Sequence, residues 1–333
     1  APFANLVKTQ LDAQPANRAE TRDYPNGGRK VLLFSDGRQK AARLARDIPR
    51  EVEQDIFRQL LALATRALHD VGKEPRPDRH LYIAFLKVLS ENNLPIFDGK
   101  DAQIVDEQVT RLQKDHADQD LDELIVDFDP GEQPNRYKSA LLKQLCGRYY
   151  SLVGTTVGCL KPTRKAFRKL TTKIKGVAPT VSAEDLAGVA AAWLMRVADS
   201  YSFDRTIEAN VRGSAVGRWR NAWGCNGAFA KNVRPALATA LSIDVATLGL
   251  IEKELANELG LPDDVGAIFI DPSKVVVHID LDMPWYQCGD CTALLPVTVG
   301  SHCASCGSGT VKRILPAESN YIRARKGFWR DPV

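Results

Sequence analysis

Four cysteines stand in two pairs towards the end of the chain, Cys288-Gly289-Asp290-Cys291 and Cys303-Ala304-Ser305-Cys306, with eleven residues between them. Two Cys-x-x-Cys knuckles bring four thiolates to the corners of a tetrahedron, the coordination of a structural zinc ion. Four sulfur ligands leave no position open for a substrate, so the metal is expected to supply folding energy and not catalysis. Gly307 follows the second pair, where a small residue lets backbone amides approach the sulfurs. Trp285 and Tyr286 precede the first pair and are placed to pack over it. His302 could replace Cys303 as a ligand but is the poorer candidate, and His278 reads as an ordinary sheet residue. The competing reading of the knuckles is a pair of redox dithiols. Cys146, Cys159 and Cys225 sit in unrelated contexts. With no signal segment visible, seven cysteines read as reduced thiols plus a metal site, and the expected location is cytoplasmic.

The second pattern with chemical content is charge. Residues 98–132 carry 12 acidic and 3 basic side chains, and residues 133–176 carry 11 basic and no acidic ones. The basic run includes Arg164, Lys165, Arg168 and Lys169, followed by Lys173 and Lys175. Such a face either pairs with an acidic neighbour or tracks nucleic-acid phosphates, and both readings stay open. Arg212, Arg218 and Arg220 lie near Trp219 and Trp223. That interleaving could stack bases, although tryptophans also anchor cores.

The elements that must position these residues are mostly helical. The chain has 333 residues, 44% hydrophobic and 26% charged, enough for two or three domains with sizeable cores. A net charge of +4 is too small to argue for nucleic acid by itself. No apolar run approaches the roughly 20 residues of a membrane helix, so no membrane partner is expected. The polar residues 1–28 read as an extended lead-in ending in a turn at Asn26-Gly27-Gly28. Val31-Leu32-Leu33-Phe34 reads as a short buried strand, Ser35-Asp36-Gly37 as a helix cap, and residues 38–48 as a helix. Pro49 should start a second helix to about His69, with Val52, Ile56, Leu60, Leu63 and Ala67 on its apolar face. Further helices are expected over His80–Glu91, residues 182–200 and residues 243–259. Ala267–Ile270 and Val275–Ile279, joined by Asp271-Pro272-Ser273-Lys274, read as a β-hairpin. A helix followed by such a hairpin is compatible with a winged-helix unit. The expected fold is therefore mainly α, with a small α/β part near the N-terminus, the hairpin, and a four-cysteine zinc ribbon.

Enzyme signatures are missing. There is no GxxxxGK[ST] phosphate loop, no GxSxG, no HExxH and no GxGxxG after a strand. Five scattered histidines make no acid–base constellation. A self-sufficient enzyme is not expected.

The run Val31-Leu32-Leu33-Phe34-Ser35-Asp36-Gly37-Arg38-Gln39-Lys40-Ala41-Ala42 resembles the start of the second RecA-like domain of large bacterial superfamily-two helicases of DEAD/DEAH type. That group includes the mitomycin-repair helicase and the DISARM and Druantia anti-phage helicases, in which a strand ending Phe-Ser-Asp-x-Arg-Gln carries motif IV. Arg148-Tyr149-Tyr150-Ser151-Leu152 is similar to a segment of the same insertion, and Tyr321 to Arg330 is similar to the stretch that re-enters the helicase domain. The resemblance implies a lead-in (1–28), a strand–helix start of a RecA-like domain (29–48), a helical insertion (49–265), the hairpin (266–284), the ribbon (285–316) and a basic tail returning to the helicase domain (317–333). It implies that ATP and Mg bind in another domain, so this chain should not hydrolyse ATP alone. It also implies a nucleic-acid-contacting part of an ATP-dependent DNA helicase or translocase in anti-phage defence or DNA repair, with the remaining helicase domains as partners and nucleic acid, DNA above all, as ligand. Ser35, Arg38 and Gln39 would hold phosphate at a strand end and helix start, unless Ser35 or Asp36 merely caps the helix. Arg164, Lys165, Arg168, Lys169, Lys173, Arg218 and Arg220 would extend that contact. Two other functions compete: a zinc-ribbon module docking subunits of a defence complex, and a stand-alone winged-helix regulator.

Overall fold

A computed structural model describes residues 38–92, 94–147, 151–217, 220 and 222–316, with residues 9–10, 13–16, 19 and 29 nearer the N-terminus; over 38–51 it describes backbone alone. The strand and cap read at residues 31–37, the Arg148–Tyr150 segment, Arg218, Trp219 and the tail 317–333 lie outside the described residues.

Helix α1 runs unbroken over Arg38–Asp70, so the expected division at Pro49 is not found. Proline forfeits one bond of a long ladder, but its fixed φ is itself helical, and the flanking turns carry the helix through. The buried face of α1 is Phe57, Leu60, Leu61, Ala64 and Leu68. The expected stripe is rotated from it: Ile56, Leu63 and Ala67 are partly buried and Val52 is exposed.

Helices α2 (Arg79–Asn92), α3 (Gly99–Asp115), α4 (Leu121–Asp127) and α5 (Asn135–Cys146) complete the first part of the body. Phe57, Tyr82, Phe85 and Tyr137 form an aromatic centre there, with ring centroids 4.5 Å apart for Tyr82 and Tyr137 and 5.1 Å for Phe85 and Tyr137. Burial pushes both tyrosine hydroxyls well above their ordinary range, so both stay neutral. Tyr82 donates to Gln108.

Strand β1 (Gly158–Pro162) leads into α6 (Arg164–Val177), then α7 (Ala183–Ala198), α8 (Ala209–Val216), α9 (Arg234–Ala240) and α10 (Val245–Leu259). Ser182 caps α7 by accepting from the Asp185 amide at 3.0 Å. Trp193 of α7 is fully buried, and its indole N–H donates to the Gly227 carbonyl at 2.6 Å. One continuous apolar core links α1 to α10.

The remaining strands are β2 (Gly260–Pro262), β3 (Ile268–Ile270), β4 (Val275–Ile279), β5 (Trp285–Cys288), β6 (Leu294–Leu295) and β7 (Val311–Ile314). The expected hairpin and the winged helix built on it are not formed. β3 pairs with β2, and β4 pairs with β1, both antiparallel. The turn between them closes on itself: Asp271 accepts from the Ser273 amide at 2.8 Å and from the Lys274 amide at 3.0 Å. The Lys274 carbonyl then accepts from the Thr163 amide at 2.8 Å, which starts the β1–β4 ladder. Apolar runs announce strands but not their partners. Gly158 admits this pairing, because a Cβ there would stand 2.2 Å from the His278 carbonyl oxygen.

The chain is thus about half helical, with three small sheets among the described residues. Among these residues no single helix is long and apolar enough to cross a membrane.

Candidate metal centre and cationic surface

The ribbon is the sheet β6-β5-β7, with Tyr286 opposite Leu295 on one side and Arg313 on the other. β5 ends at Cys288, and the chain turns back so that the Cys288 amide bonds to Ala293 O and the Thr292 amide to Cys288 O. The second knuckle repeats this form. The Gly307 amide bonds to Cys303 O at 2.8 Å, and the Cys303 amide to Ser308 O at 2.8 Å. Each knuckle ends on a residue of positive φ, Thr292 at 58° and Gly307 at 80°. The Ser305 amide donates to Cys303 Sγ at 3.4 Å.

These turns bring all four sulfurs within 4.8 Å of one another. Cys288 and Cys306 are 3.6 Å apart at sulfur, as are Cys291 and Cys303. A zinc–sulfur distance of about 2.3 Å gives a tetrahedron with edges of about 3.8 Å. The spacing is therefore that of ligands around one metal ion, and four soft thiolates suit zinc. Burial opposes ionisation of Cys288, but the amides of Cys291 and Asp290 and the Cys306 thiol bring it down to about 7. Burial and the neighbouring thiols push Cys291 up to about 12. One thiolate forms readily; several together call for a cation among them.

Tyr286 packs against the cysteine cluster, as read from the sequence. Trp285 does not: strand alternation sends it to the opposite face, fully buried against Cys159 and Met283. His302 sets Nδ1 against the Gly300 carbonyl oxygen at 2.9 Å and is not among the grouped ligands. His278 is a sheet residue opposite Cys159. The ribbon leans on the helical body: a Cβ at Gly300 would stand 2.5 Å from Ala240 O of α9, and Met195 of α7 reaches the cysteine cluster.

The basic run becomes α6, whose start is capped by the Thr163 hydroxyl, accepting from the Ala166 amide, and by Glu74, accepting from the Arg164 amide at 2.7 Å. Ala166, Leu170 and Ile174 are buried, while Arg164, Lys165, Arg168, Lys169, Lys173 and Lys175 are exposed. Lys169 lies 3.7 Å from Glu258, and Lys173 lies 3.5 Å from Glu254 and 3.4 Å from Glu258. Internal pairing with the acidic segment occurs instead at α5, where Arg136 meets Asp98 and Lys138 meets Glu132 at 3.4 Å. Glu254 and Glu258 were not singled out in the sequence. Their four-residue spacing places them on one helix face, but nothing local connects that face to α6.

Arg212 is not a surface cation. It is 2% exposed, donates to Ile207 O at 3.1 Å and Tyr201 O at 2.7 Å, and lies 4.8 Å from the Phe269 ring centre. The carbonyls around it need its donors, so it is structural. Arg220 rests 5.3 Å from the Trp223 ring centre and 6.0 Å from Tyr201. Arg38 and Gln39 belong to the first turn of α1, but their side chains and Ser35 lie outside the described residues.

The described fold is thus a helical body carrying a four-cysteine ribbon, and no family model matches the sequence. No solved structure matches the chain. Along its whole length, however, it is similar to a segment of the Druantia protein DruE of Escherichia coli (strain UMEA 4076-1), with 44% identity over 335 residues. The chain spans 18% of that relative's length.

Proposed function

We propose that this chain is the nucleic-acid-contacting part of an ATP-dependent DNA helicase or translocase of the Druantia anti-phage type. The observation that carries the reading is the exposed cationic face of α6, in which Arg164, Lys165, Arg168 and Lys175 have no ion-pair partner among the described residues. The whole-length similarity to DruE and the motif IV resemblance at residues 29–48 support it. On this reading zinc on Cys288, Cys291, Cys303 and Cys306 stabilises the ribbon against α7 and α9. Ser35, Arg38 and Gln39 add phosphate contacts at the start of a RecA-like domain. ATP and Mg bind in other parts of a longer cytoplasmic protein, which are partners of this one. The test is a titration of labelled single- and double-stranded DNA into the zinc-loaded chain across a salt series. Sub-micromolar binding with a steep salt slope is expected; no binding at low salt overturns the reading.

One feature favours a second reading, a docking module for other defence subunits. Helices α3 and α4 carry much of the acidic segment outward, and Val126, beside Asp122, Glu123 and Asp127, is 74% exposed. Salt-insensitive binding of a protein partner without DNA would favour it.

A further inference from the structure

Helix α6 presents two kinds of cation. At about 100° per residue, Arg164, Lys165, Arg168 and Lys175 fall within an arc of roughly 100° and span about 16 Å of axis. All four are exposed, and none has an ion-pair partner among the described residues. Lys169 and Lys173 stand on the flank of that arc, towards α10. There Glu258 is only 8% exposed and lies 3.7 Å from Lys169 and 3.4 Å from Lys173, and Glu254 lies 3.5 Å from Lys173.

A carboxylate so withdrawn from water depends on its cations. Turning Lys169 and Lys173 to a phosphate would strand it, and the two carboxylates repel any phosphate approaching from that side. No aromatic ring rises from the arc, since Phe167 packs against the core, so a ligand there is held through phosphates alone and without reading sequence. Resting on the nucleic-acid reading above, we infer that Glu254 and Glu258 confine the nucleic-acid backbone to Arg164, Lys165, Arg168 and Lys175, and hold Lys169 and Lys173 out of the contact. The acidic pair sets the footprint of the basic helix.

The test is the salt dependence of labelled duplex DNA binding to the 333-residue chain, together with its melting temperature. R164Q/K165Q/R168Q/K175Q should flatten the log–log salt slope by about 3 to 4, at about 0.9 per lost phosphate contact, and leave melting nearly unchanged. K169Q/K173Q should keep the slope and lower the melting temperature, because Glu258 loses its partners. E254Q/E258Q releases both lysines and should steepen the slope by up to about 2, with tighter binding. If K169Q/K173Q flattens the slope as much per residue as the outer set, the inference is overturned while the nucleic-acid reading stands. Should K169Q/K173Q fail to fold, an E254Q/E258Q slope equal to the unmodified chain's overturns it as well. If the unmodified chain binds neither duplex nor single strand, the nucleic-acid reading itself has failed, and the inference with it.

Discussion

The four sulfurs of the ribbon come from residues 288–306, whereas the cations of α6 are sorted by Glu258, 85 residues further along the chain from Lys173. In the ribbon, each knuckle is a local turn whose amides and positive-φ residue follow from the Cys-x-x-Cys spacing. On α6, periodicity alone makes the basic residues look equivalent, and only packing against α10 separates two of them. Local spacing can define a site's membership completely. A charged helix face acquires its function from whatever opposite charge the fold brings beside it.

The comparison breaks most severely if the ribbon and α6 are one unit. Cys288→Ser should remove bound zinc, seen by mass spectrometry, and open residues 285–310 to protease, because a structural zinc contributes about 10–16 kcal/mol of apparent binding energy. DNA binding through α6 should keep its salt slope; losing it too would mean the regions cannot be treated separately. Unchanged zinc content would sink the metal assignment.

Acidification sharpens the contrast next. Zinc holds thiolates, so binding releases protons, and lowering the pH favours the metal-free thiols. Cys288, at about 7, takes up its proton in that window. Apparent zinc affinity should therefore fall by about tenfold or more per pH unit below 7, measured by competition with a chelator. None of these thiols belongs to α6, so DNA binding should be level across the same range unless the ribbon's state reaches it.

Gly158→Ala attacks the strand pairing that sets the start of α6. A Cβ 2.2 Å from the His278 carbonyl oxygen must displace β1 or β4, at a cost of about 1–3 kcal/mol. A lower melting temperature with zinc content intact is expected; an unchanged melting temperature would show that β1–β4 does not carry α6. The smallest effect should come from Ser182→Ala, which removes the α7 cap and costs about 1 kcal/mol. It should move chemical denaturation slightly and neither site.

Much of the body was legible. The helices over α2, α7 and α10 follow from apolar periodicity, and Ser182 marks the α7 start. The unbroken helix through Pro49 was not, because a proline's local penalty is weighed against the rest of its helix. The false hairpin at 267–279 arose because two apolar runs around a turn match a hairpin pattern whoever their true partners are. Here those partners are Gly260–Pro262 and Gly158–Pro162, a short strand directly after a helix and one far upstream. Arg212 misled for a related reason. Its type says surface, yet the carbonyls of Tyr201 and Ile207 and the Phe269 ring draw it inside.

The sequence by itself determined the four cysteines that cluster and the turns that gather them, because that geometry depends on residues a few positions apart. It also determined that the run which becomes α6 is basic, since composition suffices for that. Only the tertiary structure decided which strands pair, that Tyr286 and not Trp285 faces the cysteines, and which lysines of α6 are committed to Glu254 and Glu258. Those outcomes depend on segments brought together from far apart in the chain, where Coulomb and packing energies act through space and no local pattern records them.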